Sequence, residues 1–256
     1  MGSQAARTVV QLMRNKGESK MFLKRFHLKG LGHRVSKPVR MTEHDLKTRS
    51  ASGAVVIDVR LGMEFAEGHF PGSLNIGLGG RMFAACVGAF LPKQTQILLV
   101  VNQEEAANGA QAELARAGFD NLAGFVEAGE LTVLHQLTQL SPFDLNSTLC
   151  RGGKPAILDV RTTADWNLNA IYGSRNIPLG QLAARVLEHS FSDPLVVVCQ
   201  DGYQSIVAAS WLQANGFDSV HHLIGGMDAY SGTPFKEPTE SFNFCTLQSD
   251  STGYRA

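Results

Sequence analysis

The stretch VVVCQDGYQS, Val196 to Ser205, sets a thiol at the end of a β-branched apolar run, directly ahead of a helical pattern, IVAASWLQANG. Such a run predicts a buried strand, so Cys199 sits at a strand tip where the chain turns into a helix. Cysteine reacts as the thiolate. In a tight loop successive backbone N–H groups converge on one point, and the following helix adds partial positive charge there. A cradle of this kind lowers the pKa of Cys199 without a general base and suits group transfer through sulfur. Gly202 supplies the dihedral freedom that turns the amides inward. An isolated strand-end cysteine is ordinarily a core residue. The loop, its glycine and the helix behind it set Cys199 apart.

The other candidates have blander settings. Cys86, Cys150 and Cys245 are widely spaced, match no zinc pattern and read as structural or incidental free thiols. Cys150, before a Gly-Gly turn, and Cys245, in a polar stretch, are placed to be oxidisable. Asp58–Arg60 and Asp159–Arg161 lie at strand ends and suit ion pairs that fix loops. Arg161 also suits a place at the mouth of the site, where it would attract an anion. His69, in Gly-His-Phe-Pro-Gly, reads as a hydrogen-bonded turn residue, and Trp166 and Tyr230 as packing residues. The histidines are scattered apart from His221–His222, and neighbours on a strand face opposite ways. No metal site and no cofactor is expected.

The elements that position Cys199 come from a repeat. "AVVIDVRLGMEFAEGHFPGSLNIGL" (Ala54 to Leu78) aligns without a gap on "PAILDVRTTADWNLNAIYGSRNIPL" (Pro155 to Leu179) at an offset of 101. "QILLVVNQEEAANGAQAELARAGFDNL" matches "PLVVVCQDGYQSIVAASWLQANGFDSV" at an offset of 98. Each copy reads as a short buried strand ending in Asp-x-Arg, a second strand, a helix closed by a glycine (Gly118, Gly216) and a third strand. Strands alternating with helices predict an α/β fold: two tandem domains, each a parallel sheet with helices on both faces. Ligands of such sheets sit at the C-terminal strand ends, where Cys199 lies. The expected boundaries are a basic extension or linker over 1–40, a first domain over 41–134, a join over 135–150, a second domain over 151–238 and a tail over 239–256.

Charge separates the head from the body. Residues 1–40 hold ten Lys or Arg and one acid, Glu18, leaving 13 basic and 22 acidic residues in the remainder. An acidic body is a poor partner for nucleic acid. The head reads as an extended connector in preference to a transit peptide or a nucleic-acid or membrane arm. No run of about 18 apolar residues exists to cross a membrane, and no secretory signal is legible. Free cysteines in a chain of this size suit a reducing compartment, so a cytoplasmic location is expected.

The motifs ILDVR, GHFPGSLNI, a cysteine loop opening a helix, GFDSV and LIGGMDAY, in this order over residues 41–235 and twice over, resemble the rhodanese family. The resemblance implies α/β domains that carry sulfur as a cysteine persulfide. It assigns Cys199 as the catalytic nucleophile, with Gln200, Asp201, Gly202, Tyr203, Gln204, Ser205 and Arg161 binding substrate. The implied partners are a small sulfur donor, glutathione persulfide or thiosulfate, and a thiol or cyanide acceptor.

The first copy resembles the degenerate domain of proteins that fuse a metallo-β-lactamase-fold persulfide dioxygenase to two rhodanese domains. This implies a separate persulfide dioxygenase as a partner. Its slot for the nucleophile falls on Val101 or Asn102, and NQEEAAN lacks the loop glycine, so it reads as a structural or docking domain. The second copy departs from thiosulfate-using members, because its loop holds no cation: Gln204 stands where Arg is common, and Asp201 adds a carboxylate. A neutral loop suits a donor whose charge lies far from the transferred sulfur. Phosphatase or arsenate-reductase chemistry needs an arginine fork on the oxyanion, which Gln204 does not provide. A non-catalytic interaction module is the other reading.

Overall fold

The computed structural model describes residues 37–80, 82–186 and 194–231. The head through residue 36, the tail from residue 232 and Cys245 lie outside the described residues. The elements are α1 (Glu43–Ala51), β1 (Val55–Asp58), α2 (Gly62–Glu67), β2 (Leu74–Asn75), α3 (Phe83–Phe90), β3 (Ile97–Val101), α4 (Glu104–Arg116) and β4 (Leu122–Glu127). There follow β5 (Thr138–Leu140), α5 (Pro142–Cys150), β6 (Ala156–Asp159), α6 (Thr163–Leu168), β7 (Arg175–Asn176), α7 (Leu179–Arg185), β8 (Leu195–Val198), α8 (Tyr203–Ala214), β9 (Val220–Leu223) and α9 (Gly226–Ser231).

The short apolar runs become central strands because both of their faces are covered, which continuous Val/Ile/Leu runs require. One sheet has the order β2-β1-β3-β4 and the other β5-β9-β8-β6-β7, with every strand pair parallel. Alternation sends Val55, Ile57 and Leu99 to one core and Val56, Leu98 and Val100 to another on the opposite face. The second sheet divides in the same way: Leu158, Leu195 and Val197 go to one side, and Ile157, Val196 and Val198 to the other.

The copies are in equivalent register. Asp58 pairs with Val100, and Asp159 with Val198, so the next position makes Val101 the counterpart of Cys199. Of the two slots open at the sequence level, it is therefore the buried Val101 that replaces the thiol.

The stretch expected as a join is divided between the domains. His135 bridges His69, and the Leu137 amide donates to Ala66 O, so this part closes the first domain. Residues 138–150 are not a linker: β5 pairs with β9, and Leu145 and Leu149 of α5 fill the core on that side. The first domain repeats the arrangement, with Arg40 bridged to Phe125 and α1 following. Both helices start on a side-chain cap, Thr42 to the Asp45 amide and Ser141 to the Asp144 amide. The shared Ser/Thr-x-x-Asp-Leu was the available signal. A three-residue edge strand has too little apolar pattern to reveal itself.

One hydrophobic cluster runs through both domains. Phe90 of α3 stacks on Trp211 of α8 with ring centroids 5.4 Å apart. Burying such side chains contributes about 1.5–3 kcal/mol each. The Asn75 amide donates to Ser210 Oγ at 2.9 Å. The first domain is thus packed against the helix that carries the cysteine loop.

Candidate functional site

Cys199 lies at the C-terminal end of β8, which sits between β9 and β6. Gly202 is the N-cap of α8 with φ +98°, a left-handed conformation that glycine adopts without cost. That turn points the Gly202 amide at the sulfur, N to Sγ 3.1 Å. Ser205 Oγ stands 3.3 Å from Sγ. Two sequence-assigned loop residues therefore touch the sulfur directly.

Asp201 does as well. Its Oδ1 is 3.8 Å from Sγ and accepts the Tyr203 amide at 2.9 Å. The carboxylate takes up one of the N–H groups expected to be offered to a ligand and places negative charge beside the thiol. Gln200 is exposed next to the cysteine; its amide donates to Asp228, while its Oε1 accepts from Arg161 Nη1 at 3.1 Å. Gln204 is half-buried on the first turn of α8.

The thiol differs from expectation. Cys199 is 0 % exposed, and burial pushes its pKa up. Bonds from Ser205 and the Gly202 amide oppose that shift, and the Asp201 charge adds to it. A sulfur removed from water loses more solvation as an anion than these few donors return.

Arg161, expected at the mouth of the site, is turned inward. Its side chain is 5 % exposed, and its guanidinium bonds Asp159, Asn169 O and Gln200. Arg60 makes the same fork to Asp58 and reaches Gly68 O in the copy that has Val101 at the slot of Cys199. The same inward-turned pair thus recurs in both copies. The sequence-level alternative of a loop-fixing ion pair is the one the structure adopts, with Arg161 adding a tether on Gln200.

The floor of the loop comes from the Gly225–Gly226 turn ahead of α9. The Met227 and Asp228 amides donate to Cys199 O at 2.8 Å and Gln200 O at 2.9 Å. His222, on β9, sits under the loop with Nδ1 3.0 Å from Ser205 Oγ. Sequence reasoning separated His221 from His222 by strand alternation but gave neither a role. The missed signal is parity: His222 shares the face of Val220, which packs in the core that holds α8.

The first domain reaches the loop through Tyr203, whose hydroxyl donates to Gly77 O at 3.0 Å. A Cβ on Gly80 would lie 2.7 Å from the Tyr203 ring, so that glycine lets the ring pass. Tyr203→Phe is expected to lower unfolding stability by about 1 kcal/mol, measured by urea denaturation. Cys86, on α3, is buried, and its pKa is pushed up to about 11 by burial and by the neighbouring Cys199. Cys150 is exposed. His69 is buried and its Nδ1 donates to Phe65 O at 2.8 Å, the turn role expected of it.

The first domain's own loop is built differently. Its N-cap is Gln103 in extended conformation at φ −149°, where the second domain has the left-handed Gly202.

A family model described as a rhodanese-like domain matches residues 42–129 and 144–233. The chain is 30% identical over 120 residues to the adenylyltransferase and sulfurtransferase MOCS3 of Arabidopsis thaliana, covering 41% of this chain and 26% of that one. It is 35% identical over 79 residues to the uncharacterized protein YqhL of Bacillus subtilis, 31% of this chain and 63% of that one. It is 38% identical over 74 residues to the thiosulfate sulfurtransferase GlpE of Shewanella oneidensis, 29% of this chain and 73% of that one. The chain thus spans about a quarter of the first of these relatives and under two thirds of the second.

Proposed function

The chain belongs to the rhodanese family, and from that premise we propose that it is a sulfurtransferase in which Cys199 carries sulfane sulfur between a donor and a thiol acceptor. The observation that carries this reading is the left-handed Gly202, which aims a helix-terminal amide at Sγ. Cys199 thiolate attacks the outer sulfur of a donor persulfide; the new Sγ–S bond forms as the donor's S–S bond breaks, and the donor leaves as a thiolate. An acceptor thiolate then attacks the outer sulfur, takes it and returns Cys199 as thiolate. No oxidant or reductant is consumed. A persulfide is a stronger acid than a thiol, so the donors that only partly offset burial of the thiol hold the loaded sulfur as an anion more readily.

The reading includes a donor choice. Thiosulfate is a dianion; the loop offers it no free arginine fork and sets Asp201 close to the sulfur. Glutathione persulfide keeps most of its charge away from the loop. We expect kcat/KM for glutathione persulfide to exceed that for thiosulfate by about five- to tenfold, the scale of about 1 kcal/mol for a solvent-screened charge. Gln204→Arg with Asp201→Lys should narrow or reverse the ratio, mainly by raising the rate with thiosulfate. Preference of the unaltered protein for thiosulfate at low salt would sink this electrostatic reading.

The test of the function itself is intact mass after treatment with glutathione persulfide. One added sulfur on Cys199, lost on adding a thiol, is the expected result. Full burial of Cys199 is the observation that favours a second reading, a non-catalytic module acting with a separate persulfide dioxygenase. Absence of the adduct would select it.

A further inference from the structure

Ser205 has one hydroxyl proton and three neighbours that compete for it or supply one in return: Cys199 Sγ at 3.3 Å, Gly202 O at 3.1 Å and His222 Nδ1 at 3.0 Å. All three side chains are buried: Cys199 and Ser205 are 0 % and His222 5 % exposed. The imidazole also closes the loop from below, since a Cβ on Gly202 would lie 3.5 Å from His222 Cε1. Sulfur, hydroxyl and ring nitrogen thus form a continuous chain that ends in a group able to take or give a proton. The rest of the sulfur-transfer scheme leaves this chain unused.

We infer that His222 is a positioning residue for Cys199, acting through Ser205: its Nδ1 directs the Ser205 hydroxyl so that the hydroxyl proton follows the charge on sulfur. With Nδ1 unprotonated, Ser205 donates to His222 and accepts from the thiol. With Nδ1 protonated, His222 donates to Ser205, and the hydroxyl donates to the thiolate or to the persulfide. The two states interconvert when the S–H proton passes to Oγ, the hydroxyl proton passes to Nδ1 and the Nε2 proton leaves to solvent. Sulfur then carries the negative charge, one proton has been released, and the imidazole is neutral before and after.

The environment of the ring fits a neutral tautomer switch. Burial holds His222 down to about 4, so the imidazolium is not populated at neutral pH. The titratable groups on the packed elements are Cys199 and Asp201 of the loop, Tyr203 of α8, and Asp228 and Tyr230 of α9. None of them adds to the effect of burial on His222. The single titrating partner in the hydrogen-bonded chain is the thiol.

This inference rests on Cys199 as the working thiol, but its test does not require sulfur transfer. Alkylation of Cys199 by iodoacetamide, followed by peptide mass mapping across pH, reports the thiolate in the full chain. Ser205→Ala and His222→Leu should each raise the midpoint by about one pH unit, and so slow alkylation near neutrality about tenfold. The double variant should move it no further than either single change, because both break the same chain. Alkylation of the exposed Cys150 should proceed alike in all variants and serves as the internal reference. A midpoint unmoved by His222→Leu, or a double variant in which the two shifts add, overturns the relay. If His222→Leu does not fold, His222→Ala carries the same comparison. Failure of the sulfurtransferase reading would show separately, as absence of a persulfide on Cys199 in the unaltered protein.

Discussion

Cys199→Ser abolishes sulfur transfer while the fold persists; the expected fall is about 10³-fold or more, the scale on which loss of a covalent nucleophile acts. A serine hydroxyl is not ionised near neutral pH and cannot hold a sulfane sulfur. It does keep an oxygen for the Gly202 amide and for Ser205, which now meet Sγ at 3.1 and 3.3 Å, so the core around it has no reason to open. Turnover with glutathione persulfide, read beside a thermal melt, decides the matter. Cys150→Ser, on an exposed residue of α5, is the matched control and leaves turnover unchanged. Substantial transfer by Cys199→Ser would mean that the chemistry lies elsewhere in the chain.

Gly226→Ala carries the second large effect. Gly226 has φ +57°, and a Cβ there would lie 2.3 Å from Cys199 O and 2.6 Å from Gln200 O. Those carbonyls are the ones held by the Met227 and Asp228 amides, so the clash falls on the backbone of the cysteine loop and no flexible side chain can give way. Left-handed backbone costs an alanine about 1–2 kcal/mol, and overpacking about 1–3 kcal/mol more. The expectation is a loss of stability of that combined size, together with a loss of persulfide formation at temperatures where the protein is still folded. Gly216→Ala, at φ +87° with no atom within 4 Å of its Cβ, should cost only the backbone share and leave persulfide formation intact. Equal behaviour of the two variants in urea unfolding and in the mass assay would show that the Gly225–Gly226 turn does not shape the loop.

Where short-range pattern carries the information, the sequence and the structure agree. The β-branched runs at Val55, Ile97 and Leu195 are strands, Gly118 and Gly216 end helices in left-handed conformation, and Gly202 turns the loop. Each of these follows from sterics or periodicity within a few residues. The edges of the domains were harder. β5 has three residues, and only its pairing with β9 makes it a strand. The stretch around it reads as a join because a short edge strand and a polar helix bury too few side chains to leave a period.

The sequence by itself determined the repeat, the α/β class, the position of Cys199 at a strand tip and the absence of a cysteine from the matching slot of the first copy, because strand runs, helix caps and glycine turns are local preferences. Only the tertiary structure decided what surrounds the sulfur. Arg161 is turned inward to Asp159, Asp201 is turned toward Sγ, Tyr203 reaches Gly77 in the other domain, and His222 lies beneath Ser205, seventeen residues away in sequence. These are contacts between elements, set by which strands lie side by side and by how two sheets share one core. The proton state of Cys199 follows from them as well: full burial outweighs the amide cradle, and burial is a property of the packed chain that no stretch of ten residues contains.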